Sequence, residues 1–295
     1  MAVSTRVIRR RIKSVRNTRK ITKAMELVAA SKMRRAVQAV LLTRPYARLA
    51  METVRSVSRL TDVHLHPLLR QNGETKRTLF ILLTSDRGLA GGFNANIFRK
   101  FLVALKEMPT DSSIDIVAVG KRGADAVRRL HKNMVATFVN MANHPRFEDT
   151  LPISRLAMEA FSKGEYDKVV LGYTDFVSAV SQQPVLVDLL PFTFLKSEPT
   201  QGNQREFATE YVFEPSPADV LGRLLPHLVQ TAVYQAILES AASEHSARMM
   251  TMRSASDAAT EMIDNLTFVS NQIRQAGITN EIAEISSGKA ALESL

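Results

Sequence analysis

The sequence predicts an α/β fold in which helices at the two ends of the chain form a long antiparallel coiled coil, with a mostly parallel α/β domain inserted between them. Three observations predict it. Residues 4–60 contain no Gly and one Pro, with apolar residues at alternating spacings of three and four. Residues from Ser216 onward repeat that pattern to the end of the chain. Between them, short β-rich apolar runs alternate with helical patterns, which implies crossover connections in one sheet. The expected division is an N-terminal coiled-coil helix over 1–60, a central α/β domain over 76–213 and a C-terminal coiled-coil helix over 216–295.

The N-terminal seam runs through Ile8, Ile12, Val15, Ala29, Met33, Ala36, Val40, Ala47, Ala50, Val54 and Val57, and is interrupted by Arg19, Thr22, Glu26 and Thr43. Ser4 is the expected N-cap. In the middle, strands are expected at 78–84, 114–120, 134–140, 168–174, 184–190 and 206–213, with helices near 94–107, 121–132 and 152–163. Linkers are expected at 70–76 and 196–205. Ser216-Pro217-Ala218-Asp219 reads as the start of the last helix, with a Ser cap and Pro in the first turn. Pro226 is expected to kink that helix or split off its first turns. Its seam runs through Met249, Met252, Ala259, Ile263, Leu266 and Ile273. At about 1.5 Å per residue the two helices would be roughly 80 Å and 110–120 Å long, too long to fit inside a compact domain.

Composition excludes several functions. The 295 residues contain no Cys, which removes disulfides, thiolate metal sites and cysteine nucleophiles. No stretch of about 20 residues is free of charge, so no transmembrane helix is expected. The net charge of +10 is concentrated near the N-terminus, where about a dozen Lys and Arg between Arg6 and Arg35 face the single acid Glu26. A transit peptide reading conflicts with a helical pattern that runs on to about residue 60. A nucleic-acid-binding coiled coil is the alternative function, weakened because no Phe, Tyr or Trp precedes Tyr46 to stack on bases. The remaining reading is a basic helix lying against acidic protein surfaces.

Catalytic and cofactor constellations are not found. The turn SDRGLAGGFN, residues 85–94, follows a strand and precedes a helix, but its spacing matches neither G-x-G-x-x-G nor a P-loop. It reads as a tight turn in which Gly88, Gly91 and Gly92 permit positive φ. His245 has Glu244 beside it and Glu239 six residues back, a spacing unsuited to zinc. Glu281 and Glu284, three apart, read as an exposed helical face or a partner contact. No cofactor and no metal are expected.

Several separated segments carry a family resemblance. NTRKITKAMELVAASKMRRA (17–36), SDRGLAGGFN (85–94), SEHSARMMTMRSASDAATEMIDNL (243–266) and RQAGITNEIAEI (274–285) resemble, in order, segments of the gamma subunits of F-type ATP synthases. The resemblance implies a Rossmann-like middle domain that binds no nucleotide, and a non-catalytic rotor shaft that couples proton translocation to ATP synthesis or hydrolysis at the beta subunits. It implies alpha and beta subunits, epsilon and the c-ring as partners, and a peripheral place on the cytoplasmic side of a bacterial inner membrane. It also implies that Lys23 and Met25 face acidic loops of beta, and that Arg274, Gln275, Thr279 and Glu281 contact beta loops and neighbouring surfaces. Gly277 and Lys289 depart from the family pattern, and the cysteine-bearing insertion of chloroplast relatives has no counterpart here.

Overall fold

The computed structural model describes residues 5–58, 66–70, 76–109, 111–143, 145–192 and 216–293. The expected strand at 206–213, the linker at 196–205, most of the linker at 70–76 and the Ser4 cap lie outside them. The elements are α1 (Thr5–Ser58), β1 (Arg77–Leu83), α2 (Phe93–Glu107), β2 (Ser113–Val119), α3 (Lys121–Arg129), β3 (Asn133–Phe138), α4 (Phe147–Ser162), β4 (Lys168–Phe176), β5 (Gln182–Leu190) and α5 (Pro217–Glu293). The chain divides into two compact units, one of residues 1–29 with 249–295 and the other of residues 30–248. Both long helices therefore contribute to each unit.

In the second unit the strands form one sheet of order β3-β2-β1-β4-β5. β1 pairs parallel with β2 and β4, β2 pairs parallel with β3, and only β5 runs antiparallel. Strand alternation sends successive side chains to opposite faces. Leu79, Ile81 and Leu83, with Val117, Val119, Val169 and Leu171, pack with Ile153 and Phe161 of α4 and with Leu225, Val229 and Val233 of α5. Phe80, Leu82, Ile116 and Val170 face the other way and are covered by Phe101 of α2 and Val127 of α3. Phe80 and Phe101 meet edge to face at 5.1 Å. The sheet is thus sandwiched, with the first part of α5 serving as a core helix on one face.

Three local expectations are revised. Helix α5 runs unbroken through Pro226, and no first turns split off. Its neighbours Leu225, Leu228 and Val229 are buried in the core, and that packing outweighs the cost of about 3 kcal/mol for an interior proline. Ser216 caps this helix, its Oγ accepting from the Asp219 N–H at 3.2 Å. Helix α4 starts at Phe147 rather than near 152, so Pro152 lies inside it and Glu148 and Asp149 supply the acidic first turn. Helix α3 stops at Arg129 because Leu130 caps it and His131 takes φ 51°.

Candidate partner-binding site

In the first unit the apolar spacing that forms the helices also pairs them. Ile8 and Ile12 of α1 and Ile263 of α5 are buried together, with Val15, Leu266 and Ile273 packed against them. Arg19 Nη1 donates to Thr260 Oγ1 at 3.5 Å, and the hydroxyls of Thr22 and Ser256 lie 2.8 Å apart in a buried contact. Partner numbers fall as α1 numbers rise, so the pair is antiparallel. The small residues Ala29, Ser256 and Ala259 are buried along it, which lets the backbones approach closely.

Outside the seam, the two helices differ chemically. Arg6, Arg9, Arg10, Arg11, Lys13, Arg16 and Lys20 of α1 are all exposed, giving a basic surface. On α5 the exposed residues include Asp257, Glu261, Asp264, Arg274 and Glu281 together with large apolar side chains: Phe268 is 70% exposed, Ile282 62% and Ile285 74%.

The residues expected to bind partners fall on both helices. Lys23 is exposed and pairs with Glu26 at 2.9 Å, while Met25 is half-buried. The Lys23 end of this i,i+3 pair is exposed while the Glu26 side chain is largely covered. Arg274, Gln275, Thr279 and Glu281 are exposed, and Thr279 Oγ1 donates to the Gln275 carbonyl at 2.9 Å. These two groups are not brought together. Lys23 and Met25 sit beside the Thr22–Ser256 contact, and Ser256 is about 27 Å of helix from Arg274. They form two separate patches of one unit.

In the second unit, the glycine-rich turn lies at the carboxyl end of β1, where an open parallel sheet of this kind would hold a ligand. Its polar groups are engaged by the chain itself. Asn94 Oδ1 accepts from the Ser85 N–H at 3.0 Å, and Asn94 Nδ2 donates to Ser85 Oγ at 2.7 Å. Asp86 occupies the start of α3, accepting from the Lys121 N–H at 3.1 Å and from the Asn140 N–H at 2.8 Å. That carboxylate stands where an anion would bind a helix N-terminus. Arg248 of α5 reaches over the turn and donates to the carbonyls of Arg87 and Gly88, each at 3.3 Å. Of the three glycines expected to take positive φ, only Gly91 does, at 54°; Gly92 has φ −80°, and Leu89 rather than Gly88 takes φ 62°. The turn takes its positive φ values at Leu89 and Gly91, so the expectation for Gly88 and Gly92 is corrected.

Arg248 also pairs with Glu244 at 2.8 Å, with both side chains nearly inaccessible. Burial pushes the Glu244 carboxyl above its ordinary range, and Arg248 opposes that shift. His245 Nδ1 lies 3.5 Å from Arg248 Nη1 and its Nε2 3.3 Å from the Ala142 carbonyl, which places the proton on Nε2. One turn back, Glu239 is likewise raised by burial, despite Gln235 at 2.9 Å and Arg44 at 3.3 Å.

A family model described as ATP synthase matches residues 4–292. Over 97% of its length the chain is 46% identical to the ATP synthase gamma chain of Dehalococcoides mccartyi strain BAV1, covering 98% of that protein. The chain belongs to the ATP synthase gamma chain family. It is 42% identical to the gamma chain of Pelotomaculum thermopropionicum over 98% of this chain and 99% of that one. Among solved structures it is similar to a chain of the Tetrahymena thermophila mitochondrial ATP synthase central stalk and c-ring, with a TM-score of 0.60, 26% identity, and coverage of 80% of this chain and 99% of that one. A chain of the Euglena gracilis mitochondrial ATP synthase shares the fold at TM-score 0.67 and 19% identity, covering 98% of this chain and 95% of that one. A gamma chain is one subunit of an enzyme complex. Among the described residues no helix is long and apolar enough to cross a membrane.

Two features of this gamma chain escaped sequence reasoning. The exposed large apolar side chains of α5 could have been found from Phe268 and Ile282, which lie off the track of Ile263, Leu266 and Ile273. The Glu244–Arg248 pair had a signal in its i,i+4 spacing, but nothing local indicates that it is buried.

Proposed function

We propose that the chain is the central-stalk rotor subunit of an F-type ATP synthase, coupling proton translocation to ATP synthesis or hydrolysis at the beta subunits while doing no chemistry itself. The observation that carries this reading is the antiparallel helix pair of the first unit, whose exposed surface is predominantly basic on α1 and mixed on α5, where charges of both signs alternate with Phe268, Ile282 and Ile285. Such a pair presents a different surface to each of three surrounding beta subunits. Rotation then favours one catalytic state over the others at each angle, through differential contact. A basic surface suits attraction to acidic loops at every angle, because exposed ion pairs are individually weak and exchange readily.

In this reading Lys23 and Met25 pass the acidic loops of beta, and Arg274, Gln275, Thr279 and Glu281 meet beta surfaces further along the shaft. Epsilon and the c-ring bind elsewhere on the chain, which lies peripherally on the cytoplasmic side of the bacterial membrane. The filled crevice of the α/β unit supports a non-catalytic role, since Asn94, Asp86 and Arg248 hold the groups a nucleotide phosphate would need. The nucleic-acid alternative has no support from the family and lacks any aromatic on the basic stretch before Tyr46.

The absence of cysteine makes a single introduced thiol a unique reporter. In the assembled complex, Met25→Cys and Gln275→Cys are expected to cross-link to beta subunits that carry a cysteine in the facing loops. The tagged chain is expected to co-purify with a ring of three alpha and three beta subunits. Assembly of that ring with no cross-link from either position would overturn the contact assignment, and failure to co-purify would overturn the rotor assignment.

A further inference from the structure

Within the second unit, α1, α5 and the segment between β3 and α4 enclose a pocket of about 180 Å³. Lys32, Arg35 and Arg146 line it, together with Asn143, Leu238 and His245. No Asp or Glu among the described residues lines it. Lys32 donates to Asn143 Oδ1 at 2.8 Å, a neutral acceptor that positions the ammonium without cancelling its charge and leaves two of its N–H groups. Arg35 and Arg146 form no ion pair among the described residues. Glu244, a carboxylate that Lys32 influences, is held by Arg248 at 2.8 Å. His245, whose Nε2 lies 3.3 Å from the Ala142 carbonyl, forms another part of the lining.

Three cationic side chains lining a concave site that has no carboxylate among the described residues of its lining favour an oxyanion, because guanidinium groups bind phosphate through paired, charge-assisted hydrogen bonds. The volume lies below the roughly 300–1,000 Å³ of sites for drug-sized ligands, which excludes a nucleoside triphosphate and suits a small anion with a few waters. Leu238, Ala36, Ala39 and Pro145 make much of the lining apolar, which tolerates a short carbon skeleton attached to the anion.

We propose that this pocket binds a phosphate group, as inorganic phosphate or as a small phosphomonoester, and that the bound anion ties Arg35 of α1 to Arg146 at the start of α4. The site is complete in the free chain. Its occupancy is independent of the contacts assigned to Lys23, Met25 and residues 274–281.

The test is titration of the purified full chain with sodium phosphate at constant ionic strength, followed by calorimetry and by melting temperature, with sodium chloride as the control. Saturable heat and a rise in melting temperature that chloride does not reproduce are expected. In Arg35→Gln/Arg146→Gln, both side chains being exposed, the melting temperature in chloride should be preserved while phosphate affinity falls by about tenfold or more. A parallel titration with glycerol phosphate separates the sources: binding of the free ion alone assigns inorganic phosphate, and tighter binding of the ester assigns a phosphomonoester. Binding of neither, an effect equalled by chloride, or unchanged affinity in the double variant overturns the proposal.

Discussion

Arg248→Met removes the guanidinium that joins α5 to the glycine-rich turn. In the folded chain this side chain is 12% exposed and its partner Glu244 7% exposed. Four contacts are lost: the 2.8 Å ion pair, the two 3.3 Å bonds to the carbonyls of Arg87 and Gly88, and the 3.5 Å contact with His245 Nδ1. Breaking a buried pair from one side costs about 3–5 kcal/mol, because the remaining charge is left without compensation. The pH dependence has a definite sign. Burial already raises the Glu244 carboxyl above its unfolded value, and Arg248 is the main influence holding it down. A carboxyl whose folded pKa is raised contributes stability that is fully present below the unfolded pKa and is lost as pH rises through the folded pKa. Without Arg248 the pKa rises further, so the deficit of the variant is larger at pH 7.5 than at pH 5. Urea unfolding followed by circular dichroism at the two pH values measures this. Glu244→Gln/Arg248→Met, which removes both charges, should recover more than half of the loss at pH 7.5. A deficit below about 1 kcal/mol, or one that is the same at both pH values, would refute the buried-pair reasoning.

Gly120 has φ 99°, and a Cβ there would overlap the Thr84 carbonyl oxygen. Gly120→Ala should therefore cost about 1–3 kcal/mol in backbone strain and a similar amount in overlap; Gly164→Ala, at φ 74° with nothing within 4 Å, should show only the first cost in the same thermal melt. Gly277→Ala, on an open stretch of α5, should stabilise the helix by about 0.5–1 kcal/mol, visible as slower amide exchange around residue 277. Met25→Lys should impair coupling more than assembly, since a lysine passing acidic beta loops would gain a charge-assisted pair of roughly 1–3 kcal/mol at one rotary angle. Proton pumping per ATP hydrolysed in reconstituted vesicles measures it, and unchanged pumping combined with failed ring assembly would make Met25 a packing residue.

The sequence by itself determined the element types, because periodicity is a local property. Ile8, Ile12, Val15 and Ile263 announce their seam through spacings of three and four, and that seam is buried as one cluster. TLFILLT and IDIVAVG are runs too short for helices and too apolar for loops, and both are strands paired in parallel. The proposed contact residues rest only on the resemblance of whole segments, since an exposed Lys23 or Gln275 carries no periodic signal of its own.

Tertiary structure decided what the interruptions of the pattern do. Thr22, Thr43 and Arg19 look like breaks in the seam, yet each makes a polar contact with α5, to Ser256, Gln235 and Thr260 respectively. The Thr22 and Thr43 hydroxyls also bond to carbonyls of their own helix, those of Arg19 and of Ala39 and Val40, which a local rule foresees; the second partner, across the seam and more than a hundred residues away, is one that no local rule locates. Pro226 shows the same dependence: its local cost argues for a break, and burial of Leu225 and Val229 against the sheet keeps the helix whole. The crevice of the α/β unit was also decided at this level. GLAGG leaves its ligand open as a sequence, and Asn94, Asp86 and Arg248 close it only because folding brings α2, the start of α3 and α5 to the same end of the sheet, where each buried polar group must find a partner.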